Sequence, residues 1–359
     1  MPELPEVEAA RALAERWTVG RTIVGVEDHD EWVCRPHPPG EIADAITGLR
    51  VTAAGRIGKS MWLDLDDGPR LGLHLGMAGR LVGMAPEGAG PGMAAEGAGP
   101  GVGPEGAGTG PSAPAGDPDV VGPSTTAGDA AASGLRDPAD VHHAAGVPAT
   151  VPESDAPGLP DTAGEPLTAR ERTDWSMPVR SGAGAGSMTL PGDAAWTRFA
   201  IDLDDGGRLL LFDKRRLGRV RLDPDLSQLG PDALTITADA FVERVGRGAT
   251  PLKARLMDQS TIAGIGNLLC DEVLWHAEQP PLRPAADLAP DELRELHAVV
   301  VACTREAIAR GGVHLGDVIP HRRKGEHCPR CGAEMVRATV GGRTTWWCSF
   351  EQAWPPGDD

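Results

Sequence analysis

The chain has 359 residues, a formal net charge of -18 and 40% hydrophobic residues, a length that suits two or three domains. Its six cysteines are too few and too dispersed for a disulfide scaffold. No charged-then-apolar signal segment opens the sequence and no apolar run reaches about 18 residues, so we expect a cytoplasmic protein without membrane contact.

The first residues pair a nucleophile with an acid/base. If Met1 is removed, the chain begins with the secondary amine of Pro2 beside the carboxylate of Glu3. An α-amino group titrates near ~8, so a usable fraction of it is neutral and nucleophilic at pH 7. An amphipathic helix is predicted to follow, with an apolar stripe made of Val7, Ala10, Leu13, Ala14 and Trp17. On this pattern alone, an ordinary acidic helix terminus is the competing interpretation.

A stretch that ends in Gly58-Lys59-Ser60 leads into the first of two similar β-hairpins. Residues 61–75 and 199–212 both alternate apolar and other residues around a turn, and they align without a gap at an offset of 138 residues. Strand-like runs elsewhere complete the pattern of a two-sheet β-sandwich. We therefore predict one domain from residues 1–83 and 196–228.

Residues 84–195 separate the two hairpins and differ in composition. They are dominated by Gly, Ala and Pro, contain no Ile, Phe, Lys or Cys, and carry fifteen acids against four arginines. Such a segment buries too little apolar area to offset its chain entropy, so we interpret it as a disordered insertion. A passive spacer is the main interpretation of its role, and a further hypothesis is that its negative charge competes with an anionic ligand for basic surfaces of the chain.

An acidic total argues weakly against a nucleic-acid partner, but two stretches are locally basic. Residues 208–221 hold six Lys or Arg against one Asp, and residues 321–354 hold six against three Glu. The same offset of 138 places Met77 opposite Arg215, so the loops after the two hairpins are predicted to lie at the same end of the sandwich. Ordinary hairpin exits are the alternative interpretation.

The carboxy-terminal half reads as helices, with a tight double turn at Gly264 and Gly266 before Asn267. Asn267 is predicted to cap the next helix, whose free amides would form a phosphate site. A long amphipathic helix over 291–310 ends at Gly311-Gly312.

The last segment has the spacing of a four-cysteine zinc ribbon with its fourth ligand replaced. Cys328, Cys331 and Cys348 are present, and Glu351 or His327 is the candidate fourth ligand. A metal-free hairpin packed by its aromatic residues is the alternative, with Trp346, Trp347, Phe350 and Trp354.

Four motifs in this order resemble the formamidopyrimidine-DNA glycosylase and endonuclease VIII family. They are PELPEVE at 2–8, HLGMAGRL at 74–81, DKRRLG at 213–218 and DQSTIAGIGNLLCDE at 258–272. The resemblance implies an α+β fold: an N-terminal two-sheet β-sandwich with an N-terminal helix, a helix-two-turns-helix DNA-binding domain over 229–318 and a zinc-finger-like β-hairpin over 321–355.

The resemblance also implies roles for particular residues. Pro2, Glu3 and Lys59 would be catalytic, and the finger turn GGRTT at 341–345 matches the family's phosphate-gripping tip. DNA contacts would come from Met77, Arg215, Arg216, Leu217, Asn267 and Arg343. The family usually has phenylalanine where this chain has Leu217.

The function implied is that of a bifunctional DNA glycosylase and abasic-site lyase. It would excise oxidised bases of the formamidopyrimidine or 8-oxoguanine type from double-stranded DNA as a monomer that binds one zinc ion. Two alternatives stay open: an endonuclease VIII-like preference for oxidised pyrimidines, and a non-catalytic protein that binds damaged DNA.

Overall fold

The computed structural model describes residues 2–86 and 194–354, with the backbone of residues 95–98. The first helix, α1, spans Leu4–Thr18 and has Pro5 in its first turn, where the missing N–H costs nothing. A carboxylate oxygen of Glu6 accepts the backbone N–H of Glu3 at 2.9 Å. All five residues of the predicted apolar stripe are buried.

Two antiparallel sheets follow. Their strands are β1 Ile23–Glu27, β2 Val51–Ile57, β3 Ser60–Leu65, β4 Leu71–His74, β5 Arg80–Met84, β6 Ala95–Ala98, β7 Thr197–Leu203, β8 Arg208–Phe212 and β9 Arg219–Leu222. One sheet has five strands in the order β1-β7-β8-β5-β6, and the other has four in the order β2-β3-β4-β9. Two short helices, α2 Glu31–Cys34 and α3 Glu41–Ile46, lie between β1 and β2 in the chain.

The two predicted hairpins, β3-β4 and β7-β8, lie in different sheets. Each sheet is extended by the strand that follows the other hairpin, because β5 pairs with β8 and β9 pairs with β4. Inward side chains of both sheets, such as Met61, Leu73, Ile201 and Leu211, form a single core with α1. Alternating apolar residues build this core, as the sequence predicts. The opposite faces of β5, β7 and β8 are also buried, in a separate cluster of Val82, Ala200, Leu210 and Phe212.

A second core belongs to the helices of the carboxy-terminal half. These are α4 Ala238–Val245, α5 Leu252–Met257, α6 Asn267–His276 and α7 Pro290–Arg310. They bury Phe241, Leu256, Val273 and Leu296, and α7 ends at Gly311 in the left-handed conformation. The strands β10 Met335–Val340 and β11 Arg343–Cys348 form the final hairpin.

A buried ion pair joins the sandwich to the helices. Arg56 in β2 donates to Asp232, and its Nε also donates to Glu8 of α1 at 2.7 Å. Asp232 accepts the backbone N–H of Gly58 at 2.7 Å. The turn that carries Lys59 is therefore fixed against the helical part of the chain.

The predicted α+β class, the two sheets and the final hairpin are confirmed. The domain boundaries stay a prediction, and most of the predicted insertion over 84–195 lies outside the described residues. Within that range the structure describes β6, which composition did not predict: its main chain pairs with β5, and main-chain pairing needs no bulky side chain. Among the described residues, no helix is long and apolar enough to cross a membrane.

Candidate active site

The carboxylate of Glu3 caps helix α6. Its Oε1 accepts the backbone N–H of Leu268 and its Oε2 that of Leu269, both at 2.9 Å. The site requires glycine at position 266, because a Cβ there would lie within 3 Å of the Glu3 carboxyl group. Glu3 is thus held by two helix amides and by the positive end of the α6 dipole.

The environment of Glu3 perturbs its titration. Burial raises the pKa of the Glu3 carboxyl, while the amides of Leu268 and Leu269 and the nearby Lys59 ammonium act to lower it. A buried carboxyl with a raised pKa holds a proton at higher pH than a free side chain does, which suits an acid/base.

Lys59 lies close to this carboxylate. Its Nζ donates to the carbonyl oxygen of Ile265 at 2.9 Å, and burial lowers the pKa of its ammonium group, partly opposed by the charge of Glu3. Pro2 is buried and directly precedes Glu3, while the backbone N–H of Leu4 donates to the carbonyl oxygen of Gly264 at 3.2 Å. Pro2, Glu3 and Lys59 are therefore brought together at the double turn.

The double turn itself is held by Gln259, which sequence reasoning did not single out. Its Nε2 donates to Ile265 O at 2.9 Å, and its Oε1 accepts the N–H of Gly264 at 3.0 Å. Gly264 has φ +115°, and a Cβ there would press on Leu4. An amide side chain just before a glycine-rich turn is the sequence signal that points to Gln259.

The prediction that Asn267 caps α6 is wrong. Gly266 occupies the cap position and Asn267 is the first helical residue, with its Nδ2 donating to Thr344 O at 3.1 Å. Two of the amides predicted to be free for a phosphate, those of Leu268 and Leu269, instead donate to Glu3. Glu3 takes the capping role expected of Asn267, because the fold brings its carboxylate from the amino terminus to the start of α6. A local sequence pattern cannot predict a contact between residues so far apart in the chain.

The two loops after the hairpins lie at the same end of the sandwich, as predicted from the offset of 138 residues, and they are in contact. A Cβ on Gly76 would collide with the backbone of Leu217, so the loops that carry Met77 and Leu217 are in contact. Met77 is 40% exposed, and Arg215 is exposed. Arg216 has φ +53° and forms an ion pair with Asp30 at 2.9 Å.

His74 lies beside this site, although the sequence reasoning assigned it no role. Its Nδ1 accepts the N–H of Gly76 at 3.0 Å, which leaves Nε2 as its donor. Burial lowers its pKa, with Lys59, Arg219 and Arg221 acting in the same direction. A histidine at the end of a strand that leads into a motif loop is the signal that points to it.

Arg343 is exposed at the tip of the final hairpin, next to two glycines with positive φ. The hairpin is docked on α6 through Asp271, which is buried and accepts from Lys253 at 2.5 Å and from Arg322 at 2.8 Å. Asp271 also accepts the backbone N–H of Trp346 at 3.3 Å. The positive charge of Arg343 contributes to lowering the pKa of Lys59.

A candidate metal centre lies at the base of this hairpin. Ligand atoms of Cys328, Cys331, Cys348 and Glu351 all lie within 4.8 Å of one another, which identifies Glu351 rather than His327 as the fourth group. Trp275 of α6 donates its indole N–H to Cys328 Sγ at 3.3 Å. Phe350 is 76% exposed, so its predicted packing role is wrong.

The comparisons with known proteins agree on one family. Residues 1–97 match a profile described as the formamidopyrimidine-DNA glycosylase N-terminal domain, and residues 229–317 match the one described as its H2TH domain. Among curated relatives, a formamidopyrimidine-DNA glycosylase of Chloroflexus aggregans is 29% identical, with 98% of both chains covered. One from Roseiflexus is 35% identical over 46% of this chain and 70% of its own length.

Solved structures share the fold. A Lactococcus lactis Fpg in complex with abasic-site DNA superposes with a TM-score of 0.60 at 20% identity, covering 98% of this chain and 100% of that one. A MutM in complex with DNA containing carbocyclic 8-oxo-G gives a TM-score of 0.60 at 21% identity, with the same coverage.

Proposed function

The chain belongs to the formamidopyrimidine-DNA glycosylase family, and from this premise we propose that it is a bifunctional DNA glycosylase and abasic-site lyase with Pro2 as its nucleophile. It is a DNA glycosylase of base excision repair. The observation that supports the finer proposal is the convergence of Glu3 and Lys59 on the turn at residues 264–269, directly beside Pro2.

The proposed reaction follows from these groups. The neutral Pro2 amine attacks C1′ of an everted nucleotide, the bond from C1′ to the base breaks, and the base leaves with a proton supplied from Glu3. Glu3 then takes the proton of the bound amine and passes it to O4′ as the C1′–O4′ bond breaks, which opens the sugar ring and leaves an iminium at C1′. The iminium makes the 2′ proton acidic, Glu3 removes that proton, and the bond from C3′ to its phosphate oxygen breaks. Lys59 orients the phosphate beside the sugar.

The substrate in this proposal is duplex DNA with an oxidised base or an abasic site. Chemistry on a paired base requires eversion, and the joined loops of Met77 and Leu217, with the exposed Arg215, provide an apolar wedge and a cation for the vacated space. We assign Arg216 to the support of this loop through Asp30, and Asn267 and Arg343 to the DNA backbone. Excision of formamidopyrimidine or 8-oxoguanine lesions is the preferred specificity.

Oxidised pyrimidines are the second candidate substrate class. Leu217 is a smaller wedge than phenylalanine, and the segment after α7 is held down: Val313 N–H donates to Glu6 at 2.7 Å, and Asp317 N–H donates to Glu272 at 2.6 Å. A segment tied at both ends has little freedom to fold over an everted base.

We also propose that the metal centre binds zinc. Three thiolates and one carboxylate suit a tetrahedral zinc site, and an N–H donor to Cys328 Sγ is the usual support for a ligated thiolate. The ion would stabilise the hairpin that presents Arg343, and it takes no part in the reaction at Pro2.

Borohydride trapping tests the function. Duplexes with 8-oxoguanine, an oxidised pyrimidine or an abasic site are incubated with the protein and borohydride, after mass spectrometry has shown that Met1 is absent. We expect a covalent adduct that requires Pro2 and is lost in Pro2→Gly, and the ranking of the duplexes decides between the two substrate classes. The absence of adduct on every duplex would instead identify a non-catalytic binder.

A further inference from the structure

The outer face of the four-stranded sheet carries arginines that the proposed reaction does not use. Strand β9 reads Arg219-Val220-Arg221-Leu222, and Val220 is fully buried against the core while Arg221 is exposed. Because side chains alternate along a strand, Arg219 and Arg221 lie on the same outward face. In the pairing with β4, Arg219 is opposite His74 and Arg221 is opposite Gly72, so no bulky neighbour covers Arg221 from that strand.

A third arginine joins them from a remote part of the chain. Arg35 follows α2, and its carbonyl oxygen accepts the Nε–H of Arg221 at 3.3 Å. Its guanidinium lies 3.9 Å from the ring centroid of Trp32, which is itself 55% exposed. The Nη1 of Arg35 is buried, and in the part of the chain that the structure describes it has no hydrogen-bond partner. We call Arg35, Arg219 and Arg221 the arginine strip.

Within the described residues, none of the three arginines of the strip forms a direct ion pair with a carboxylate. The nearby acids have other partners. Asp30 pairs with Arg198 and Arg216, and Asp213 accepts the N–H groups of Arg215 and Gly218. Burial lowers the pKa of Arg219, and Arg35 and Arg221 lower it further, while the negative charge of Asp213 opposes them in part.

Arg208 belongs to the same basic stretch of sequence as Arg219 and Arg221, but unlike them it has carboxylate partners. It lies in the other sheet and forms ion pairs with Asp202 and Glu27. The basic stretch over 208–221 is therefore divided by the fold: its first arginine is neutralised, and the arginines of β9 are gathered with Arg35. Three like charges held together without a direct ion pair to a described carboxylate favour an anionic ligand.

The arginine strip is continuous with the candidate active site. His74 is paired with Arg219 across the strands. Both Lys59 and Arg219 lie near enough to His74 to lower the pKa of its imidazole. A path of donors therefore runs from Lys59 through His74 to Arg219, Arg221 and Arg35. The repeating anion that fits an extended path of this kind is a nucleic-acid backbone.

We infer that the arginine strip binds the phosphate backbone of duplex DNA on one side of the lesion, beyond the contact made by Lys59, with the Trp32 ring holding Arg35 in position. The identity of the partner rests on the proposed function; the location of the contact does not depend on the lyase chemistry. The contacts carry affinity without base specificity, because phosphates are the same at every sequence.

The salt dependence of binding tests the inference. The full chain is titrated with a duplex that contains a tetrahydrofuran abasic-site analogue, at several salt concentrations. Each lost phosphate contact lowers the slope of log K against log salt by ~0.9, so we expect Arg35→Gln, Arg219→Gln and Arg221→Gln together to lower it by about 2 to 3. Arg208→Gln is the matched control, since it removes one arginine of the same stretch and leaves the slope unchanged.

The side of contact is tested with shortened duplexes. When the arm on one side of the lesion is removed, the difference in slope between the wild type and the triple variant disappears; removal of the other arm preserves it. An unchanged slope in the folded triple variant, an equal fall in the control, or the same difference on every duplex would overturn the inference. Borohydride trapping is scored separately, so a loss of lyase activity and a loss of the strip contact are distinguishable.

Discussion

The carboxylate of Glu3 accepts the backbone N–H of Leu269 at 2.9 Å, although 266 residues separate them in the sequence. The same carboxylate accepts the N–H of Leu268. A single side chain therefore joins the amino terminus to helix α6. This contact makes the position of the acid/base depend on the position of the helix.

Gly266→Ala tests that dependence. A Cβ at residue 266 would lie within 3 Å of the Glu3 carboxyl carbon, while the backbone there has an ordinary φ of -116°. We expect Glu3 to shift and trapping to slow by about 100-fold, since a displacement near 1 Å has that effect on catalysis.

The control for this change is Gly248→Ala, which has φ +78° and no atom within 4 Å of the added Cβ. It introduces backbone strain without a clash, so it should cost about 1 kcal/mol of stability and leave the trapping rate intact. Trapping by Gly266→Ala at the wild-type rate would refute the helix-dependent positioning of Glu3.

The raised pKa of Glu3 predicts how its contribution to stability varies with pH. Burial makes the folded protein bind this proton more tightly than the unfolded chain, so the contribution is fully present below the unfolded pKa of about 4.3 and is lost as pH rises through the folded pKa. Denaturant unfolding of the wild type and Glu3→Gln from pH 4 upward measures this. The free-energy difference, wild type minus variant, should decrease with pH; an increase would show that the pKa is depressed.

Asp232→Ala should strongly destabilise the protein. It leaves the buried guanidinium of Arg56 with Glu8 as its one remaining carboxylate partner among the described residues, and removal of one partner from a buried pair costs about 3 to 5 kcal/mol. Asp205→Ala is the matched control, because its ion pair with Arg21 is more exposed and is worth less than about 1 kcal/mol. Equal losses in the two variants, measured by urea unfolding, would contradict the assignment of Asp232 to the junction.

The proposed zinc site predicts that Glu351 affects the strength of metal binding in the final hairpin. A thiolate is a softer zinc ligand than a carboxylate, so Glu351→Cys should retain zinc longer than the wild type in competition with a chelator, and Glu351→Ala should lose it first. Glu326→Ala changes a carboxylate outside the cluster and serves as the control. An order of release that does not depend on residue 351 would exclude it as a ligand.

The elements that sequence predicts well are those whose pattern is local. The stripe from Val7 to Trp17 and the alternation around Met61 and Leu63 depend on neighbours within a few residues, and the structure buries them as expected. The offset of 138 residues predicts that the loops of Met77 and Leu217 lie at the same end of the sandwich, because equivalent strands place their loops at equivalent ends.

The interactions that sequence did not predict join distant residues. Asn267 has a good cap composition, yet the carboxylate that reaches the helix amides belongs to Glu3. Arg35 reads as an isolated basic residue, and only the contact of the segment after α2 with β9 brings it to Arg221. In both cases the deciding contact spans more than 180 residues, so no local rule contains it.

The exchange of strands between the two sheets has a consequence for how the chain tolerates interruption. Strand β5 completes the sheet of the second hairpin, and β9 completes that of the first, so each sheet needs residues from both sides of position 100. A longer connection adds little closure entropy, about 0.6 kcal/mol for each doubling of its length. If the chain were cut between β6 and β7, the pairing of β4 with β9 and of β5 with β8 would still hold the two fragments together. The two fragments are therefore suited to split-protein complementation.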